Sequence, residues 1–380
     1  MQSESTSHLS RRSHPKSKTG CRVCKRRKVK CDEGRPSCRN CIKHAVQCDF
    51  THGQTESRVD IQHNSQSPPQ LNMLDLELLH NFSIVTHSTL SNDSLLQQLW
   101  KITIPKIGLQ CDYIMLSTLA VSALHIASYR PAEKALYISK AIFYHQVASR
   151  KAMKELGTIT SEIPIERAEH LYLFSILTIY VALASPRREY GSLLLGESGC
   201  PEWMSLLRGT KSLLVLMGER VHTGPLSRLF VHGQKRWLAM HPEIEPGYQD
   251  NLSDNSPFVK LQTWLEESVA NRETLKVYLS AVSELRATFR LLEGGWQLDG
   301  TDVFVWVWEV ADEFLSFLEV PTQEAVAIFA HFCVLLKKLD NQWWLKGWGD
   351  HLMSRAYHML DNQHKLWIQW PIEQIGWVAS

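Results

Sequence analysis

The sequence predicts a mostly α-helical protein in unequal parts: a small cysteine-rich head, a flexible linker and a large all-helical body. Three observations carry that expectation. Six of the nine cysteines fall between Cys21 and Cys48, in two identical frames. From about Leu71 onward, apolar residues recur at i, i+3 and i+4. No alternating apolar segment bounded by hairpin turns interrupts that pattern.

Residues 1–19 are rich in Ser, Lys and Arg with almost no apolar side chains, so a disordered basic tail is expected there. The net charge of +2 hides an asymmetry: residues 1–50 hold 13 Lys or Arg against 4 Asp or Glu, which leaves the remaining 330 residues net acidic. A basic head on an acidic body points to an anionic partner for the head alone. The polar stretch MQSESTSHLSRRSHPKSK predicts no secretory signal. The longest apolar run, His170 to Ala184, is broken by Ser175, Thr178 and Tyr180 and is too short to span a bilayer. N-x-S sequons at Asn81, Asn92 and Asn251 are therefore read as coincidence. Clustered cysteines in such a chain read as metal ligands rather than disulfides.

Residues 20–50 form the cysteine module. Its spacing is C-x2-C-x6-C, six residues, then C-x2-C-x6-C again, so a seventeen-residue shift lays Cys21, Cys24 and Cys31 onto Cys38, Cys41 and Cys48. Zinc takes four ligands in tetrahedral geometry and favours thiolates. Six thiolates satisfy two Zn2+ ions when two of them bridge, and the repeat points to bridging cysteines at equivalent positions. The cluster is then formally dianionic, which neighbouring cations offset. A module with so little apolar material draws its folding free energy from metal.

The two frames differ in charge. Between Cys24 and Cys31 lie Lys25, Arg26, Arg27, Lys28, Val29 and Lys30; the matching stretch after Cys41 is Ile42, Lys43, His44, Ala45, Val46 and Gln47. The first lobe faces an anion, and a short helix starting near Cys24 suits entry into a DNA groove. A solvated charge run that serves nuclear import is the alternative, and both can hold. His44 is expected to be a bystander, since the cysteines already fill the metal sites.

With these residues, the head resembles the fungal binuclear zinc cluster (Zn2Cys6) transcription factors over residues 18–50, including Pro36 two positions before the fourth cysteine. The resemblance implies that Cys21 and Cys38 bridge the metals, and that Pro36 lies in the inter-lobe loop, often after a cis peptide. It implies base reading of a CGG-type half-site of double-stranded DNA in the major groove by Arg27 and Lys28, Lys28 foremost. Lys25, Arg26, Lys30 and Arg22 would contact phosphate.

Residues 51–70, ending in Pro68-Pro69, read as a linker, and no leucine heptads mark a coiled coil there. The helical body is expected over 71–380. Leu95, Leu96, Leu99, Trp100, Ile102 and Ile104 make a helical run that Pro105 should break. Met115, Leu116, Leu119, Ala120, Ala123, Leu124 and Ile126 make one amphipathic stripe. Pro131 opens a helix closed by Gly157, and Pro164 opens another. Further helices are expected near 201–218, 258–292, 302–318, 322–339 and 343–361, without the repeat period of a solenoid.

The body carries no zinc-protease helix, G-x-S-x-G elbow, phosphate loop or dinucleotide fingerprint, so no enzyme is expected. Cys111, Cys200 and Cys333 are scattered and read as core residues, as do His125 and His145. Nine of the thirteen tryptophans lie from Trp296 onward. Core packing accounts for such a concentration; an apolar pocket for a flat hydrophobic ligand, or an aromatic partner surface, is the alternative.

Several body stretches resemble the sterol uptake control type within the same family: Leu76-Glu77-Leu78-Leu79-His80-Asn81-Phe82, Ala120-Val121-Ser122-Ala123-Leu124-His125, Trp203-Met204-Ser205-Leu206-Leu207-Arg208-Gly209 and Trp370-Pro371. That resemblance implies a helical, homodimerising regulatory domain and a hydrophobic, sterol-like ligand. The expectation as a whole is a nuclear, zinc-dependent, sequence-specific transcription factor of RNA polymerase II genes that controls a fungal secondary-metabolite gene cluster. A sterol-sensing regulator of sterol genes is the alternative.

Overall fold

The computed structural model describes residues 19–52, 72–157, 164–186, 202–242, 256–310 and 312–378. The expectations for the basic tail, most of the linker and Cys200 lie outside them. Contacts divide the chain into two units, 1–71 and 72–380. Every regular element among the described residues is helical.

The head holds two five-residue helices, α1 (Arg22–Arg26) and α2 (Arg39–Lys43), and a 3-10 turn over Asp49–His52. Its interior is the six cysteines, with Val23 and Phe50 packed beside them.

The body begins with α3 (Met73–Ile84), α4 (Ser94–Gln98), α5 (Ile104–Gln110), α6 (Asp112–Tyr129), α7 (Lys134–Leu156) and α8 (Ile165–Ala184). It continues through α9 (Glu202–Met217), α10 (Ser227–Met240), α11 (Pro257–Ser268), α12 (Arg272–Glu293) and α13 (Gly300–Glu309). It closes with α14 (Asp312–Glu319), α15 (Gln323–Lys338), α16 (Trp348–Met359) and α17 (Gln369–Ile375). Two helices serve as axles. Helix α6 packs against α3, α5, α7 and α8, and α15 against α12, α14, α16 and α17.

The stripe expected on α6 proves to be one side of a helix buried nearly all round, from Tyr113 to Ala127. Its small residues allow neighbours to approach, and its hydroxyls are satisfied locally: Ser117 Oγ donates to Tyr113 O at 2.8 Å and Ser122 Oγ to Leu78 O at 2.7 Å. At the start of this packing, a Cβ on Gly108 would lie 3.2 Å from the Met115 Cα, so glycine there lets α5 meet α6.

Four expectations need correction. Pro105 does not end its run; the backbone widens into a π-turn over Leu99–Thr103, and Pro105 then sits in the first turn of α5, where its missing N–H is tolerated. The helix expected over 258–292 is two helices, because Asn271 Oδ1 accepts from Glu273 N and Thr274 N and starts a new one. The helix expected over 302–318 divides after Val310, which leaves helical conformation at ψ 138°. The helix expected over 343–361 begins at Trp348, since Gly347 turns the chain with φ 72°.

Core packing accounts for most of the tryptophans, some of which also wall a cavity. Trp306 donates from Nε1 to Ala281 O and Trp348 to Leu183 O, both at 2.9 Å, inside the core. Trp343 stacks on His125, which in turn bonds Thr86 Oγ1 at 2.9 Å. Trp100 and Trp344, buried in the same core, line a cavity together with the half-buried Trp237 and Trp308.

Candidate metal centre and basic lobe

The seventeen-residue repeat of the sequence is a repeat in space. Cys21 caps α1, its Sγ accepting from Cys24 N at 3.3 Å, as Cys38 caps α2 by accepting from Cys41 N at 3.4 Å. Two residues past the end of each helix the chain turns through a left-handed residue, Lys28 at φ 55° and Ala45 at φ 48°. Val29 N then returns to Cys24 O, and Val46 N to Cys41 O. Cys21 N donates to Cys31 Sγ at 3.4 Å, and Cys38 N to Cys48 Sγ likewise.

These turns deliver six buried sulfurs to one place. The Sγ atoms of Cys21, Cys24, Cys31 and Cys38 lie within 4.8 Å of one another, and so do those of Cys21, Cys38, Cys41 and Cys48. Cys21 and Cys38 belong to both sets. Such overlapping tetrads fit two tetrahedral ions sharing two thiolates.

Electrostatics support that fit. Burial, then the neighbouring sulfurs, push the Cys24 thiol well up and Cys41 up to about 12. Burial acts on Cys38 in the same sense, yet hydrogen bonds from Cys41 and the adjacent thiols bring it down to about 6. Six neighbouring thiolates cannot coexist unaided; the divalent charge of bound metal is what holds them together. His44 is exposed, as its bystander reading requires.

A second device links the lobes, and it concerns aspartates. Asp49, which follows the last cysteine of the second lobe, accepts from Arg22 N at 2.9 Å at the start of α1. Asp32, which follows the last cysteine of the first lobe, accepts from Arg39 N at 2.9 Å at the start of α2. Each lobe therefore caps the helix of the other. Burial works against ionisation of Asp49, but the N–H groups of Arg22, Asp49 and Val23 hold its carboxyl below the usual range. The signal was present in the sequence: Asp32 and Asp49 are seventeen residues apart, each beside a cysteine.

Arg22, Lys25, Arg26, Arg27, Lys28 and Lys30 are all exposed, on α1 and the turn that follows it. Asn40 of the second lobe ties down that turn by donating from Nδ2 to Lys30 O at 2.5 Å. The loop between the lobes contains the cis peptide Arg35–Pro36, and the Arg35 guanidinium lies 5.3 Å from the Phe50 ring centre.

Residues 19–57 match the fungal Zn(2)-Cys(6) binuclear cluster domain. Over 95% of its length the chain is 25% identical to a protein of Gibberella zeae named as a Zn(2)-C6 fungal-type transcription factor, covering 86% of that protein. It is also 25% identical to the Zn(2)-C6 fungal-type transcription factor afumD of Aspergillus fumigatus, over 74% of each chain. The family resemblance read from the cysteine frame is borne out, and with it a cofactor of two zinc ions.

Proposed function

We propose that this chain, which carries a fungal Zn(2)-Cys(6) binuclear cluster domain on a helical body, is a nuclear transcription factor that reads a CGG-type half-site. DNA binding and transcriptional control, rather than catalysis, are what the domain and the relatives' names support. The observation that carries the finer reading is the joining of two sulfur tetrads to an exposed basic helix and turn. Cys21, Cys24, Cys31 and Cys38 hold one ion; Cys21, Cys38, Cys41 and Cys48 hold the other. Lys28 and Arg27 reach guanine edges from the end of α1, while Lys25, Arg26, Lys30 and Arg22 engage phosphate.

The test is binding of the zinc-loaded chain to a CGG-containing duplex and to a scrambled one. Equal affinity for both would refute sequence reading. Lys28→Ala should relax the preference, whereas Lys25→Ala should weaken both duplexes alike and lower the salt slope by about one. Control of a secondary-metabolite gene cluster and homodimerisation rest on the family resemblance alone; transcript profiling of a deletion strain and sedimentation of the full chain test them.

A second reading is the alternative to secondary-metabolite control. The body is a sensor of a hydrophobic, sterol-like ligand, and the factor regulates sterol genes. What favours a sensor is an apolar cavity of about 410 Å3 within the body.

A further inference from the structure

The crossed aspartates obey the seventeen-residue repeat, and Asn40 breaks it. The same shift lays Asn40 onto Val23 and Lys30 onto Gln47. Asn40 Nδ2 donates across the lobes to Lys30 O at 2.5 Å. Val23, packed beside the cysteines, has no side-chain donor with which to return such a bond to Gln47 O. The tie therefore runs one way, from the lobe of weaker charge onto the lobe that carries the basic run.

Its place on that lobe gives it a role. Lys28 turns the chain at φ 55°, a region that a residue bearing a Cβ occupies at a cost. On the near side of this turn, Lys28 N donates to Lys25 O and Val29 N to Cys24 O, both at 3.1 Å. On the far side, Val29, Lys30 and Cys31 belong to no regular element, and Asn40 secures the carbonyl of the middle one. The turn through Ala45 repeats the near-side bonds, from Ala45 N to Ile42 O and Val46 N to Cys41 O, but position 23 offers no far-side tie.

A lysine reaches out on a flexible four-carbon stem, so the backbone at its root is what aims it. Were the turn released, Lys28 could relax toward the right-handed region and its Cβ would point elsewhere. A base edge accepts a hydrogen bond from a narrow range of directions, whereas a phosphate attracts a cation from many. Loss of aim is therefore felt in discrimination between sequences before it is felt in general affinity for DNA.

We propose that Asn40 is a positioning residue for sequence reading: its amide holds Lys30 O, fixes the turn through Lys28 and so sets the preference for one duplex over another. The inference rests on the half-site reading given above and adds to it a residue of the second lobe.

The test uses the full chain at saturating zinc, with a CGG-containing duplex and a scrambled one. Asn40→Ala should lower the ratio of the two affinities about fivefold, the effect of one hydrogen bond lost from the reading turn. Affinity for the scrambled duplex should stay within about twofold of the parent, with its salt slope unchanged, since no cation is removed. Asn40→Asp keeps the shape, lacks the donor and suits the first turn of α2; its ratio should fall to the same degree, and it serves if Asn40→Ala fails to load zinc. In a Lys28→Ala background, Asn40→Ala should change the ratio by less than about twofold, because the side chain it aims is gone. A parental ratio in the single variants, or an undiminished fivefold loss in the Lys28→Ala background, overturns the positioning role and leaves the half-site reading standing. A parent that binds both duplexes equally overturns both.

Discussion

Asp49 sits in the second lobe of the head, yet its carboxylate holds the first turn of the first lobe's helix through Arg22 N at 2.9 Å. Replacing it by alanine leaves that amide without its partner. Loss of a capping carboxylate costs about 1 kcal/mol, with a range of roughly 0.5–2. In a module whose folding and metal binding are one event, the loss appears as about fivefold weaker zinc affinity at constant pH. Asp49→Asn separates capping from charge. Its amide oxygen still accepts the hydrogen bond, and removing a negative charge beside an anionic cluster costs nothing, so it should lie within about twofold of the parent. Competition of the full chain against a chromophoric chelator measures all three. At saturating zinc, DNA affinity and its salt slope should be unchanged, since no cation has been removed. Wild-type zinc affinity in Asp49→Ala, or an equal loss in Asp49→Asn, would refute the capping role.

Three further outcomes are expected. Ala45, at φ 48°, pays for a left-handed backbone that glycine adopts freely, so Ala45→Gly should tighten zinc binding by about 1 kcal/mol in the same chelator assay. Zinc removal should abolish DNA binding but leave tryptophan emission unaltered, because all thirteen tryptophans lie at or beyond Trp100, in the body. Burial holds His125 and His331 neutral down to about pH 4, against an ordinary 6.5. Between those values the unfolded chain binds more protons than the folded one, so body stability is full above about 6.5 and falls as the solution is acidified. Urea unfolding followed by tryptophan emission should show a slope approaching about 1.4 kcal/mol per pH unit from each, and His331→Asn should remove one share.

Local grammar was the part of this protein most open to reading. Cysteine spacing gave the metal frame, because zinc geometry imposes that spacing on neighbouring residues. Helical periodicity gave the body its class, and Pro131, Gly157 and Pro164 marked real boundaries. Breaks inside apolar runs were harder. Asn271 carries an N-cap signature that the apolar residues around it obscured, and the π-turn before Pro105 depends on packing rather than on composition. The exchange of Asp32 and Asp49 was written in the repeat but needed the folded lobes to give it meaning. The cavity had no local signal, since it draws on residues from Leu90 to Trp344; the tryptophan concentration pointed to its neighbourhood and not to its walls.

The crossed aspartates have a consequence for how the head responds to metal supply. With Cys21 and Cys38 shared between both ions as proposed, and each helix capped from the opposite lobe, neither half has a completed state of its own. A head bearing one ion would hold bridging sulfurs with half their partners and a lobe without order. Loading as a pair is then the expected outcome, with occupancy rising with free zinc more steeply than a single site permits; a zinc titration that follows a single-site isotherm would refute it. On that expectation the head passes from silent to competent across a narrow interval of zinc concentration, a threshold set by the fold.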